Sequence, residues 1–448
     1  MRFFQGMAAV FATVFLCLAG GAMEIIATDE AVCDVLVVGG GTAGVPAAVQ
    51  SARAGAKTIL VEMGFQLGGT TTTAGVRYPG LFHAWGKQVI AGIGWELTQA
   101  AVALNGDKMP DFSVDNRSFW LLSIPVNPPL FAILAEEMCV RSGVALRYYE
   151  TPCALEKTTE HGAHWKVTTT TMGQFRTIWC REIVDATGNG TVAAMAGAVR
   201  LREEETQPGS IFYRIDSGID FSKVDWDDMQ VRYQKAIADG VLLPEDMFGG
   251  VKRFLTRPRP AGNRTYVYHA DNATGPGRTD ANIRGRASIL RSLRFIKTLP
   301  GGENAKLVEM SAETGVRETY RIQGKYVITE EDYRTGKVWP DSVAFAFYPI
   351  DLHTSDGAAP KRLEKGVVPT IPYRALIADG VEHLLMAGRC ISSDRQAGSA
   401  LRVQSVCMAS GQAAGAGAAL AAKENVLPEN VPLDRLKALL REHGAIVP

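Results

Sequence analysis

Two short, continuous apolar runs open the folded part of the chain, and each ends in glycine or charge. Residues 34–38 (DVLVV) and 58–62 (TILVE) are typical of strands that are buried on both faces of a parallel sheet. The small residues over 44–54 indicate a helix between them. This order predicts a βαβ unit.

Later segments continue the α/β pattern. An initial proline and a following glycine mark a helix over 128–142, and a strand is expected over 144–149. Alternation and β-branched residues predict a hairpin over 164–184. The final predicted elements are a buried strand over 383–389, a small-residue helix over 403–422 and a closing helix near 433–442.

Between residues 200 and 365 the apolar runs shorten, while charge and proline increase. We therefore expect an α/β fold in which a Rossmann-like nucleotide-binding domain is discontinuous. Its first part covers 30–200 and its second part, with the C-terminal helix, covers 366–448. An inserted α+β domain over 201–365 is expected to lie on the substrate side.

The first 22 residues have the pattern of a leader. Arg2 precedes an apolar run over 7–18 and a small-residue stretch over 19–22. This pattern predicts a Sec-type signal peptide over 1–22, and hence a periplasmic or secreted protein without stable membrane insertion after cleavage. The alternative is an overextended start, with true initiation at Met23.

Composition excludes several classes of protein. The chain has 448 residues, of which 46% are hydrophobic, so it can build a large core and is not disordered. Its 47 basic and 47 acidic residues balance, which gives no electrostatic reason to expect a nucleic acid partner. No CxxC pair is present, and His161 and His164 alone make a poor metal site, so we expect a solvated loop there and no metal.

The strongest chemical signal is the glycine-rich loop after the first strand. Gly39, Gly41 and Gly44 fit G-x-G-x-x-G, in which the glycines permit a tight turn, backbone approach to a pyrophosphate and close helix packing. Thr42 and Ala43 complete the loop, at the helix N-terminus that favours an anion. Glu62, at the tip of the second strand, is placed to accept a hydrogen bond from a ribose 2′-hydroxyl.

Other glycine-containing segments point to a longer cofactor than NAD. A glycine pair follows Glu62, and two more predicted strands end in glycine, which suits a ligand with an adenosine end and a flavin end. These segments and the start of the helix near 403 supply the remaining expected FAD-binding residues: Gly68, Gly69, Thr70, Thr187, Gly188, Gly388, Arg389 and Arg402. We expect the N-terminus of that helix to point at the pyrimidine edge of the flavin.

The sequence resembles the FAD-dependent oxidoreductases related to the flavoprotein of heterodisulfide reductase and, more distantly, to fumarate reductase flavoproteins. The similarity is carried by VVGGGTAG (37–44), LGGT (67–70), VDATGNG (184–190), GVRETYRIQGKY (315–326), YPIDLH (348–353), IPYRAL (371–376), LLMAGRCIS (384–392) and SGQAAG (410–415). The resemblance implies FAD. Fumarate reductase relatives that attach FAD covalently use a histidine near LGGT. Positions 63–81 contain no histidine, so we expect noncovalent FAD.

Three residues are candidates for catalysis. Arg317 and Arg321 could clamp an anionic substrate, and they share a face only if their segment is helical. His353 could carry a proton. The alternatives are structural ion pairs with Glu313 or Glu318 for the arginines, and a buried core histidine.

The expected reaction is hydride transfer between FAD and an unidentified small polar or anionic substrate. Two alternatives keep the cofactor: a flavin electron-transfer module reduced by a partner protein, and a non-catalytic protein that retains FAD.

Overall fold

The computed structural model describes residues 30–113, 119–247, 249–256, 263–354, 357–358 and 360–448. The predicted leader over 1–22 lies outside the described residues. Among the described residues, none of the helices has the length and apolarity needed to cross a membrane.

The α-helices are about one to six turns long. They are α1 (Gly44–Arg53), α2 (Ile93–Leu104), α3 (Pro128–Arg141), α4 (Thr191–Met195), α5 (Trp226–Ala238), α6 (Gly250–Thr256), α7 (Gly275–Lys297), α8 (Glu330–Thr335), α9 (Arg395–Leu401), α10 (Gln404–Glu424) and α11 (Leu433–Glu442).

The strands fall into one large sheet and several small ones. They are β1 (Glu30–Val38), β2 (Thr58–Glu62), β3 (His83–Ala84), β4 (Lys87–Gln88), β5 (Ala145–Tyr148), β6 (Thr151–Lys157), β7 (Trp165–Thr171), β8 (Gln174–Asp185), β9 (Arg200–Leu201), β10 (Gly209–Asp216), β11 (Asn263–Val267), β12 (Lys306–Met310), β13 (Arg321–Ile322), β14 (Ser342–Phe345), β15 (His353–Thr354), β16 (Gly357–Ala358), β17 (Thr370–Pro372) and β18 (Leu384–Met386).

The large sheet has the order β5-β2-β1-β8-β7-β6, with β18 also paired to β8. Strands β5, β2, β1, β8 and β18 are parallel, and the β6–β7–β8 meander is antiparallel. The α/β, Rossmann-like prediction is confirmed. The apolar run of β1 is continuous because successive residues face different cores: Val35 and Val37 pack on one side, and Leu36 and Val38 on the other.

Predicted element bounds agree with the structure where the pattern is strong. Strand β2 matches its prediction over 58–62, and α10 lies within two residues of its prediction at each end. The strand predicted over 383–389 is shorter, because Gly388 adopts a left-handed φ of +78° and the chain turns there.

Helix α10 packs along α1 at a distance that only glycine allows. A Cβ on Gly411 would collide with the carbonyl oxygen of Ala43, and one on Gly415 would collide with that of Ala47. Nearly every residue of α10 before Lys423 is buried, which explains its small, apolar composition.

The region predicted as an insertion supplies two different packing environments. Strands β10, β11 and β12 form an antiparallel sheet that shares a core with α5, α6 and α7. Ile328, Tyr333 and Ile350 instead join the core that contains α1 and α10. A part of the predicted insertion therefore packs in the core next to the large sheet. Its predicted bounds of 201–365 stay a prediction.

We expect Gly415→Ala to lower the free energy of unfolding by about 1–3 kcal/mol, because the added methyl group must displace the backbone of α1. Gly275→Ala is the matched control, since Gly275 begins α7 and has nothing within 4 Å of an added Cβ. Urea unfolding of both variants checks this. Equal stability of Gly415→Ala and the wild type would contradict the contact.

Candidate functional site

Three glycine-containing loops meet at one edge of the large sheet. Val38 pairs with Asp185, and Asp185 pairs with Met386, so the ends of β1, β8 and β18 are level. Because the carboxyl ends of parallel strands form the ligand edge of such sheets, the loops that follow them are brought together there. The predicted site residues of 39–44, 187–188 and 388–389 therefore share one edge.

The first loop turns as tightly as its glycines permit. Gly39 has a left-handed φ of +98°, and its added Cβ would lie 2.7 Å from the carbonyl oxygen of Ala186. A Cβ on Gly44 would collide with the carbonyl oxygen of Gly39. These two glycines close the turn, so the start of α1 lies directly over the strand ends.

Gly41 differs from its neighbours because it faces open space. An added Cβ there has nothing within 4 Å, and the N-cap residue Ala43 provides no side-chain cap to the first turn of α1. Thr42 lies between Gly41 and Ala43 in the chain. Backbone N–H groups at such an uncapped helix start are suited to a phosphate. The cradle therefore fits the pyrophosphate of a dinucleotide.

The second glycine loop lies beside this cradle. A Cβ on Gly69 would come within 3.0 Å of the Cα of Gly41, and the N–H of Gly68 donates to the carbonyl of Gly40 at 2.8 Å. The carbonyl of Thr70 accepts from the N–H of Val76 at 3.0 Å. The LGGT loop thus lies beside the cradle, and its role in binding FAD stays a prediction.

Glu62 holds both loops by its carboxylate. Its Oε2 accepts from the N–H of Gly40 and its Oε1 from the N–H of Gly64, each at 2.6 Å. Burial raises the pKa of Glu62, although these two hydrogen bonds oppose the shift. Each carboxylate oxygen can accept a second hydrogen bond, so a ribose hydroxyl is compatible with this arrangement.

Arg389 connects the loop after β18 to the loop after β8. Its Nε donates to the carbonyl of Gly188 at 2.9 Å, its Nη2 to Oδ1 of Asn189 at 3.0 Å and its Nη1 to the carbonyl of Val316 at 2.8 Å. Burial lowers the pKa of Arg389 to about 10, so it stays protonated at neutral pH. Thr187 caps the same loop with its hydroxyl, which donates to Asp185 at 2.7 Å.

Gly388 completes the contact between the third loop and the first. Its added Cβ would lie 2.8 Å from the Cβ of Ala43. The β18 end therefore packs directly against the N-terminus of α1.

The start of α10 carries polar groups without protein partners. Val403 is its N-cap and supplies no side-chain cap. Nε of Arg402 and Oγ of Ser405 are buried and have no hydrogen-bond partner among the described residues. Because buried donors are normally satisfied, this helix start fits a ligand with acceptor atoms. It lies against the LGGT side of the site, since the hydroxyl of Thr71 donates to Oε1 of Gln404 at 2.5 Å.

A polar cluster adjoins the start of α10, and we call Tyr266, Arg317, Asp351, His353 and Arg402 the Tyr266 cluster. Nε2 of His353 lies 3.0 Å from Oδ2 of Asp351, and its Nδ1 lies 3.3 Å from the hydroxyl of Tyr266. Nη2 of Arg402 donates to the carbonyl of Asp351 at 2.9 Å. The guanidinium of Arg317 lies 5.0 Å from the centre of the Tyr266 ring.

Burial, hydrogen bonds and neighbouring charges set the pKa values of His353 and Asp351. Burial lowers the pKa of His353 to about 4, so its ring is neutral at pH 7. Burial alone would raise the pKa of Asp351, but the hydrogen bond from His353 and the charge of Arg402 lower it to about 2. A neutral ring beside a carboxylate places its N–H on Nε2, so Nδ1 accepts from the Tyr266 hydroxyl.

Arg321 lies apart from the other two catalytic candidates. Its guanidinium binds Glu203 at 2.8 and 2.9 Å and Glu318 at 3.2 Å. Its segment forms β13 rather than a helix, so Arg317 and Arg321 do not share a helical face. The structure brings His353 together with Arg317 only.

Sequence reasoning missed two members of the Tyr266 cluster. Asp351 was available from the pattern Asp-x-His in YPIDLH, which places a carboxylate two residues before the histidine. Tyr266 had no local signal, because it comes from β11, far from His353 along the chain.

Comparison with known proteins bears on the cofactor. Residues 34–440 match the family described as FAD dependent oxidoreductase. The chain belongs to this family. Membership makes FAD the cofactor and makes the protein a flavoenzyme of the oxidoreductase class.

Solved structures share only distant similarity with this chain. A geranylgeranyl bacteriochlorophyll reductase-like protein from Thermoplasma acidophilum is 13% identical, with 92% of this chain and 84% of that one covered and a TM-score of 0.43. A flavoprotein/dehydrogenase from Cytophaga hutchinsonii is 14% identical, with 92% and 83% covered and a TM-score of 0.41. No curated protein matches the chain.

We expect Gly41→Val to abolish FAD binding without unfolding this oxidoreductase. The added side chain enters open space in the protein but blocks the approach of a pyrophosphate to the backbone. Flavin absorbance of purified protein, with circular dichroism as the folding control, checks this. Gly41→Val protein that retains full FAD would show that the phosphates lie elsewhere.

We also expect FAD to be noncovalent. Trichloroacetic acid should release the yellow flavin into the supernatant, since the LGGT region over 63–81 contains no histidine that could attach it. Colour that stays with the denatured pellet would contradict this prediction.

Proposed function

We propose that this FAD-dependent oxidoreductase transfers a hydride between noncovalent FAD and a small polar or anionic substrate that binds at the Tyr266 cluster. The observation that carries the proposal is the chain of hydrogen bonds from Asp351 through neutral His353 to Tyr266, beside the uncapped start of α10. FAD, when bound, supplies the hydride acceptor or donor.

The residues of the cluster supply a proton path. In the oxidation of an alcohol group, a hydride leaves carbon and a proton leaves oxygen. The Tyr266 hydroxyl takes the proton from the substrate oxygen and passes its own to Nδ1 of His353. Asp351 holds the ring by its Nε2–H and stabilises the charge that forms on it. The reverse steps serve a reduction.

The charge of the cluster favours a substrate with a negative group. Nη1 of Arg317 donates to the carbonyl of Pro208 and to Oγ of Ser210, each at 2.7 Å. These hydrogen bonds hold the guanidinium beside the Tyr266 ring, 5.0 Å from its centre. Burial lowers the pKa of Arg317 to about 10, so it stays charged at neutral pH and can bind a carboxylate.

Two broader expectations belong to the same proposal. The kinship to the heterodisulfide reductase and fumarate reductase flavoproteins remains a proposal within the wider family. Export rests on the leader over 1–22, and N-terminal sequencing of the mature protein would test it, because an intact Met1 would contradict cleavage.

The reaction can be tested by anaerobic mixing of the holoenzyme with pooled organic acids and sugars, while the flavin band is followed. Bleaching by one class of small molecule supports the proposal. Reduction by protein donors alone would instead support an electron-transfer module, and no reduction at all would support a protein that only retains FAD.

With a bleaching substrate in hand, we expect His353→Ala and Tyr266→Phe to slow flavin reduction by about 10²–10⁴-fold, the usual effect of losing a proton carrier. Arg317→Ala should mainly raise KM. His269→Ala is the control, because His269 is exposed and lies next to β11. Loss of FAD from Tyr266→Phe, which keeps the ring, would favour a structural role for the cluster.

The pH profile separates a proton carrier from a structural residue. His353 accepts a proton only while its ring is neutral, so kcat/KM should fall as the pH drops through about 4. This decrease of kcat/KM at acidic pH should be absent in His353→Ala. If the decrease persists in this variant, another group causes it.

A further inference from the structure

A second polar cluster lies away from the cofactor loops, and it is built from residues distant in sequence. His164 precedes β7, Glu182 belongs to β8 and His383 precedes β18. One ligand atom from each of the three residues lies within 4.8 Å of the others. Glu182 is three residues before the end of β8, so the cluster is about 10 Å from the edge that holds the glycine loops.

Glu182 is a carboxylate that the described protein only half satisfies. It is fully buried, and its Oε1 lies 2.7 Å from Nδ1 of His383. Its Oε2 is buried and has no hydrogen-bond partner among the described residues. Burying an ionised carboxylate is costly unless a cation or hydrogen bonds compensate it.

One of the two histidines is held as metal ligands often are. Nδ1 of His164 lies 3.0 Å from the carbonyl of Arg181, which leaves Nε2 for a ligand. Metal-binding histidines commonly donate their other N–H to a backbone carbonyl in this way. The rings of His164 and His383 stack with centroids 3.6 Å apart and planes 18° apart, so one ring must turn before both can bind the same ion.

We propose that His164, Glu182 and His383 bind one transition-metal dication of the Zn²⁺ type. Two imidazoles and a carboxylate are a ligand set that zinc accepts, with a fourth position for water. Tetrahedral coordination requires ligand atoms roughly 3.4 Å apart. The observed spacing needs a small inward shift, and His164, whose side chain is 26% exposed, has room to make it. This site departs from the sequence-based expectation of no metal, which considered His161 and His164 alone.

The positive charge of Lys157 does not replace the metal. Nζ of Lys157 donates to the carbonyl of Glu382 at 3.1 Å and lies 3.9 Å from the centre of the Trp165 ring. It forms no ion pair with Glu182 among the described residues. The bound dication would join the ends of β7 and β18 to β8, and its role would be structural and independent of the hydride reaction.

The test uses the FAD-loaded protein after chelator treatment, titrated with Zn²⁺ by calorimetry and analysed for metal after dialysis. We expect one zinc per chain, retained through dialysis. Zinc should also raise the unfolding temperature. Failure to bind zinc would overturn the site and leave the proposed FAD reaction untouched.

Variants locate the binding. His164→Ala and Glu182→Gln should each weaken zinc affinity by at least about tenfold, while FAD content stays the same. His161→Ala is the matched control, because His161 lies in the same loop but packs against Trp179. Equal affinity in His164→Ala and the wild type would place the zinc elsewhere and overturn the proposal. If one variant fails to fold, the other variant and the zinc content of the wild type still decide.

Discussion

The fold depends on a contact between two helices that only glycine permits. Gly411 contacts Ala43 and, four residues later on both helices, Gly415 contacts Ala47. Helices α1 and α10 therefore run in the same direction. Their N-termini therefore point to the same edge of the sheet. Gln404 is seven residues before Gly411, so α10 extends about 10 Å beyond the start of α1. One helix start thus faces the pyrophosphate cradle while the other lies farther out.

That offset connects the cofactor loops with the Tyr266 cluster. Arg402, just before α10, binds the carbonyl of Asp351. Arg389, at the end of β18, binds the carbonyl of Val316, the neighbour of Arg317. Two arginines from one end of the chain therefore fix both segments that carry the proposed substrate groups. A change in either contact would alter the cofactor edge and the cluster together.

Local patterns predicted the parts of the fold that depend on neighbours in sequence. Strand β2, the turn at Gly39 and the small-residue helix α10 follow from hydrophobic runs and glycine spacing. The clusters could not be predicted in the same way, because tertiary pairing builds them. His383 lies 201 residues from Glu182, its hydrogen-bond partner. Arg321 was separated from Arg317 by its conformation in β13, which pairs it with Glu203 instead.

The charges in the Tyr266 cluster distinguish it from a sealed ion-pair network. Glu203 and Glu318 pair with Arg321 and Arg395, so the charges of that network balance. In the Tyr266 cluster, Arg317 and Arg402 bring two positive charges, whereas Asp351 brings one negative charge and His353 is neutral. Excess positive charge at a buried position is costly without a counter-ion. An anionic group on a substrate would supply that counter-ion, so the same imbalance that costs stability in the free protein favours binding of an anion.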